Sequence, residues 1–138
     1  MRRFLFACIH NAGRSQMAAA IFNHLADPAA ALAISAGTQP AERVHPEVLE
    51  VMREIGIDLS TARPQKLTDS LEAGAEMLIT MGCGEQCPYI PGLDTDDWPL
   101  PDPKGRDVAT VRAIREEIAV RVRRLMEQRA IPLRVPAA

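Results

Sequence analysis

CIHNAGRSQMAAAIF, residues 8–22, joins the end of an apolar run to the start of a helix-like one. Before it, RRFLFA (2–7) alternates and is apolar enough for a buried strand; after it, SQMAAAIFNHLA (15–26) is rich in strong helix formers. Cys8 therefore stands where a strand hands over to a helix. The same alternation continues outward. ALAISAGT (31–38) reads as a second strand, buried on both faces and ending at Gly37. PEVLEVMREIG (46–56) opens with proline at a good first helical position, sets Val48, Val51, Met52 and Ile55 on one stripe, and closes at Gly56. Thr68 or Asp69 caps a short helix, AEMLITMG (75–82) is a third buried strand, and Cys83 follows its end directly. A proline-rich segment holds a short edge strand around Trp98, and from Asp107, a good cap, the spacing of Val108, Val111, Ile114, Ile118, Val122 and Leu125 predicts a long helix. Strands alternating with helices predict an α/β fold: a three-layer sandwich around a central four-stranded parallel sheet, with ligands bound beyond the carboxyl ends of the strands.

The 138 residues are expected to form a single domain over 1–138, with a frayed tail over 131–138. Charged residues make up 25% and the net charge is −2, so no general basic field recruits nucleic acid or an anionic membrane. The apolar start ends at His10, too short for a signal peptide or a spanning helix, so the chain is expected in the cytoplasm; a monomer is expected as well. Three cysteines in a reducing compartment read as thiols before they read as a disulfide framework. Three cysteines and three histidines stand at no familiar metal spacing, so no metal and no bound cofactor are expected.

A thiol attacks as thiolate, which needs positive surroundings, and the amino end of a helix offers unpaired N–H groups and partial positive charge. A loop from Cys8 to a helix starting near Ser15 can turn those N–H groups inward around a tetrahedral oxyanion. Gly13 permits tight backbone and Asn11 tolerates the left-handed region. Arg14 adds a planar fork that holds two oxygens, and Ser15 can hydrogen-bond the sulfur. Alone, a cysteine and an arginine at this spacing would be a buried strand residue and an exposed cation. The strand before, the helix after and the Asn, Gly and Ser between favour an anion site with a nucleophile.

CIHNAGRS resembles the C-x5-R-S phosphate-binding loop of low-molecular-weight protein tyrosine phosphatases. The chain is similar to the thioredoxin-coupled arsenate reductases of that superfamily through FLFACIHNAGRSQMAA, ISAGT, GIDLS, ITMGCGEQCP and DWPLPDP, in the family's order. The resemblance implies that Cys8 is the nucleophile, that Cys8, Ile9, His10, Asn11, Ala12, Gly13, Arg14 and Ser15 form the oxyanion loop, and that Asp102 protonates the leaving oxygen. It further implies arsenate as substrate, Cys83 attacking Cys8, Cys87 resolving that bond, and thioredoxin as electron donor. His10 and Gly13 depart from the family loop, which typically has glycine and often cysteine at these positions. Two alternatives stay open: a phosphatase, which needs no second thiol, and a reductase that uses a small external thiol.

Overall fold

Alternation along the first strand decides which layer covers each face of the sheet. A computed structural model describes residues 1–82 and 90–135. In it β1, Arg2–Cys8, is buried from Phe4 onward. Phe4, Phe6 and Cys8 join one hydrophobic cluster, Leu5 and Ala7 the other, as period-two side chains must. β2 (Ala31–Gly37), β3 (Met77–Thr80) and β4 (Asp94–Asp97) complete a sheet in the order β2-β1-β3-β4, every pairing parallel. One face is covered by α1 (Arg14–Leu25), α2 (Pro46–Arg53) and a long C-terminal helix (Val108–Gln128). The other, thinner face is covered by α3 (Asp69–Ala73), through Leu71, and by Leu67, Ile90 and Leu93; the long helix is therefore α4. This is the expected three-layer α/β architecture.

α1 packs against both the sheet and α4, so it is buried over most of its circumference, and Ala18 and Ala19 let it lie close. Phe22 sets its ring 5.2 Å from Phe4 and 6.2 Å from Phe6. Truncating such a side chain to alanine costs about 3–5 kcal/mol. The strand-to-helix handover is thus held in place by the core directly beneath it.

Four expectations are corrected. β2 is an edge strand, so Leu32 is 37% exposed and the strand is not buried on both faces. α2 stops at Arg53 and Gly56 turns at φ +80, which leaves Ile55 off the buried stripe. The edge strand precedes Trp98, whose N–H donates to Thr80 O and extends the ladder by one bond. The tail does not fray at 131: Ile131 is buried, Leu133 bridges to Ala26, and the Arg134 N–H donates to Leu25 O at 2.7 Å. The last of these satisfies the open Leu25 carbonyl at the end of α1.

Candidate active site

The loop from Cys8 to Ser15 owes its shape to where its carbonyls go. Cys8 O accepts from Thr38 N at 3.3 Å, Ile9 O from Gln39 N at 2.8 Å and His10 O from Ala41 N at 2.9 Å. Asn11 O accepts from Gln16 Nε2, Ala12 O from His45 N, and Gly13 O from Met17 N. Six consecutive carbonyls are therefore turned outward onto donors. The amide N–H groups of residues 9–15 donate to no acceptor among the described residues. Carbonyls out and amides free, at the start of a helix, make a concave site that suits an anion.

Two features allow the bend. Asn11 sits at φ +51, a region that asparagine enters more readily than most residues. Gly37, at the end of β2, lies so close that a Cβ there would meet Ile9 O at 2.6 Å. ISAGT carries glycine at position 37 because the loop backbone passes over it.

A directed chain of hydrogen bonds reaches the sulfur. The Gln65 backbone N–H donates to Asn11 Oδ1 at 2.9 Å, which fixes that atom as oxygen and turns Nδ2 toward Ser15. Asn11 Nδ2 donates to Ser15 Oγ at 2.8 Å. Ser15 Oγ lies 2.9 Å from Cys8 Sγ; a Cys8 thiolate has no proton to give, so in that form of the cysteine the Ser15 hydroxyl is the donor. A hydroxyl aimed this way stabilises a thiolate. Cys8, Asn11 and Ser15 are all buried.

Arg14 is only 7% exposed, and its Nη1 donates to Leu100 O at 2.9 Å. Gly82, at φ +80, leaves room for it, since a Cβ there would lie 2.8 Å from Nη1. The guanidinium is thus held by PLPDP on one side and by the end of β3 on the other. Gly13 packs on the same segment: a Cβ at Gly13 would fall 2.6 Å from Pro103 Cγ. That contact accounts for glycine at this position. Asp102 is exposed and accepts the Lys104 N–H.

The loop, Arg14 and the segment carrying Asp102 are brought together. His10 lies at the rim with Nδ1 3.2 Å from Gln39 O. Cys83 and Cys87 lie outside the described residues. Trp98 is core: its ring packs 5.5 Å from Phe6 and its indole N–H donates to Asp96 Oδ2. Sequence reasoning missed Gln16, Gln65 and the Leu100 carbonyl, whose roles depend on tertiary closure. His45 is half-buried at the N-cap of α2. Burial pulls its imidazole below the ordinary value of 6.5, while Asp102 and then Glu47 oppose that shift. Among the described residues no group of three or more His, Cys, Asp and Glu is placed to hold a metal ion.

Known proteins share this fold. A thioredoxin-dependent arsenate reductase of Corynebacterium glutamicum superposes with a TM-score of 0.80 at 42% identity, covering 93% of this chain. The chain spans 61% of that protein's length. An arsenate reductase from Archaeoglobus fulgidus gives a TM-score of 0.76 at 32% identity, over 90% of this chain and 98% of its own. A glutaredoxin arsenate reductase of Synechocystis is 30% identical over 129 residues, 91% of this chain and 97% of its own. The profile of the low molecular weight phosphotyrosine protein phosphatases matches residues 3–131, and the chain belongs to that family.

Proposed function

We propose that the chain reduces arsenate to arsenite, with thiols supplying both electrons. The observation that carries the reading is the loop whose carbonyls are all turned out, with Cys8 at its centre under the Ser15 hydroxyl. Cys8 attacks arsenic, and Asp102 protonates the oxygen that leaves as water. Cys83 then attacks the Cys8 sulfur; the sulfur–arsenic electron pair stays on arsenic, arsenite departs, and a Cys8–Cys83 disulfide remains. Cys87 attacks Cys83 and frees Cys8, and thioredoxin reduces the resulting Cys83–Cys87 disulfide. Likeness to arsenate reductases along most of the chain supports this choice, as do the two further cysteines of GCGEQCP. The enzyme works as a single-domain monomer in the cytoplasm with no bound cofactor. No helix among the described residues is long and apolar enough to cross a membrane.

The family itself favours a second reading, phosphate-ester hydrolysis, because Cys8, Arg14 and Asp102 suffice for it. Two assays on one preparation separate them. Arsenite formation with thioredoxin, thioredoxin reductase and NADPH should far exceed hydrolysis of an aryl phosphate. Loss of Cys83 should stop the first and spare the second. Brisk hydrolysis without arsenite would establish the phosphatase; arsenite formation that survives loss of Cys83 and Cys87 would assign the electrons to an external thiol, with glutaredoxin and glutathione as the donors to compare.

A further inference from the structure

Gln16 is the third residue of α1, almost fully buried, and it follows the two residues that the loop chemistry uses. Its Nε2 lies 3.1 Å from Asn11 O, 3.2 Å from Asn11 Oδ1 and 3.3 Å from Arg63 O. Three oxygens around one atom fix it as the amide nitrogen. We propose that Gln16 is a positioning residue for Cys8, acting through Asn11: its NH2 group holds both oxygens of Asn11 and so fixes the direction of the chain that ends on the sulfur.

If the Asn11 amide turned over, Nδ2 would face the Gln65 N–H and the Gln16 NH2, two donors against a donor. Ser15 Oγ would then lose the donor that holds its hydroxyl in place beside the Cys8 sulfur. The backbone donor of Gln65 comes with the fold, whereas the Gln16 donor comes from a side chain and can be removed. The same amide grips the carbonyl of the one loop residue at positive φ, so it braces the bend as well as the side chain. Through Arg63 O it also ties the loop to the segment that carries Gln65. This inference rests on Cys8 being the nucleophile, and its failure is separable from failure of arsenate reduction.

The test is the pH profile of Cys8 alkylation by iodoacetamide, followed on the Cys8 peptide by mass spectrometry in the full chain. Gln16→Leu should displace the profile to higher pH and slow alkylation about three- to tenfold on its rising limb, the effect of losing one hydrogen bond in such a chain. Gln16→Glu, which keeps the shape and presents only acceptors to the Asn11 oxygens, should do so at least as strongly; circular dichroism checks that both variants fold. In an Asn11→Ala background Gln16→Leu should have a much smaller effect, because the side-chain route to the sulfur is already gone and only the grip on the residue 11 and Arg63 carbonyls remains. Wild-type profiles in both folded variants would overturn the proposal, as would an undiminished effect of Gln16→Leu without Asn11. Should wild-type Cys8 alkylate no faster than a peptide cysteine, there is no activated nucleophile to position, and both readings fall. Fast, Gln16-dependent alkylation without arsenite formation would keep the positioning role and remove the proposed substrate.

Discussion

Gly13 and Pro103 fit together only because one of them has no side chain. The 2.6 Å contact a Cβ would make is with a proline ring, which cannot swing aside as a lysine tip would. Gly13→Ala should therefore push the Asp102 segment off the loop, at a cost of about 1–3 kcal/mol in stability. Turnover should fall at least tenfold while Cys8 is still alkylated, because the sulfur's own partners are untouched; equal turnover by the two proteins would break the link between Gly13 and the acid. His45 reports on the same packing. Its imidazole should titrate below 6.5 by NMR, and Asp102→Asn should lower the midpoint further, since the carboxylate now raises it. Because the folded state favours neutral His45, its contribution to stability is complete above 6.5 and declines as pH falls through the depressed value. A midpoint unchanged by Asp102→Asn would separate the two side chains. Cys8, Arg14 and Ser15 were legible in the sequence because local punctuation puts them at a strand-to-helix turn. Gln16, Gln65 and Leu100 were not, since their partners lie up to 86 residues away along the chain or are backbone atoms that no pattern marks.

Among the elements, α2 and α4 are clasped by charge. Glu54, just past α2, accepts from Arg112 at 2.7 and 2.9 Å and from Arg115 at 2.8 Å, and Arg115 also donates to Val51 O. Hydrogen bonds from Arg112 and then Arg115 pull the carboxyl from 4.5 down to about 2. A lowered acid stabilises the fold fully above its unfolded value and loses that contribution as pH falls toward the folded one. Melting temperature should accordingly drop between about pH 4.5 and pH 2 more steeply in wild type than in Glu54→Gln. Parallel acid profiles would show that the clasp is not coupled to folding. β4 shows what pattern reading misses at this scale. DTDD has poor strand propensity, and its three carboxylates fit an exposed sheet edge, where charge discourages pairing with another chain. The strands with apolar alternation were visible; the strand made by pairing alone was displaced toward Trp98. The order of the chain just past α4 was similarly hidden, because Arg134 finds the Leu25 carbonyl, and Pro132 O the Asp27 N–H, only after the helices pack.

At the scale of the whole molecule, the sheet order places β1 between β2 and β3, so Cys8, Gly37 and the Gly82 turn open toward one end. The loop after β1, the segment after β4 and the start of α2 converge there. Chemistry at that point needs two electrons, and the chain carries three cysteines. The most direct measurement is a single turnover of the fully reduced protein with excess arsenate and no external thiol, read for arsenite and for free thiols. One equivalent of arsenite should form per chain, with two of the three thiols lost and the mass reduced by two hydrogens; Cys87→Ser should hold the disulfide at Cys8–Cys83, and Cys8→Ser should form neither arsenite nor disulfide. No arsenite with all three thiols intact in the wild-type protein would contradict an intramolecular reduction begun by Cys8.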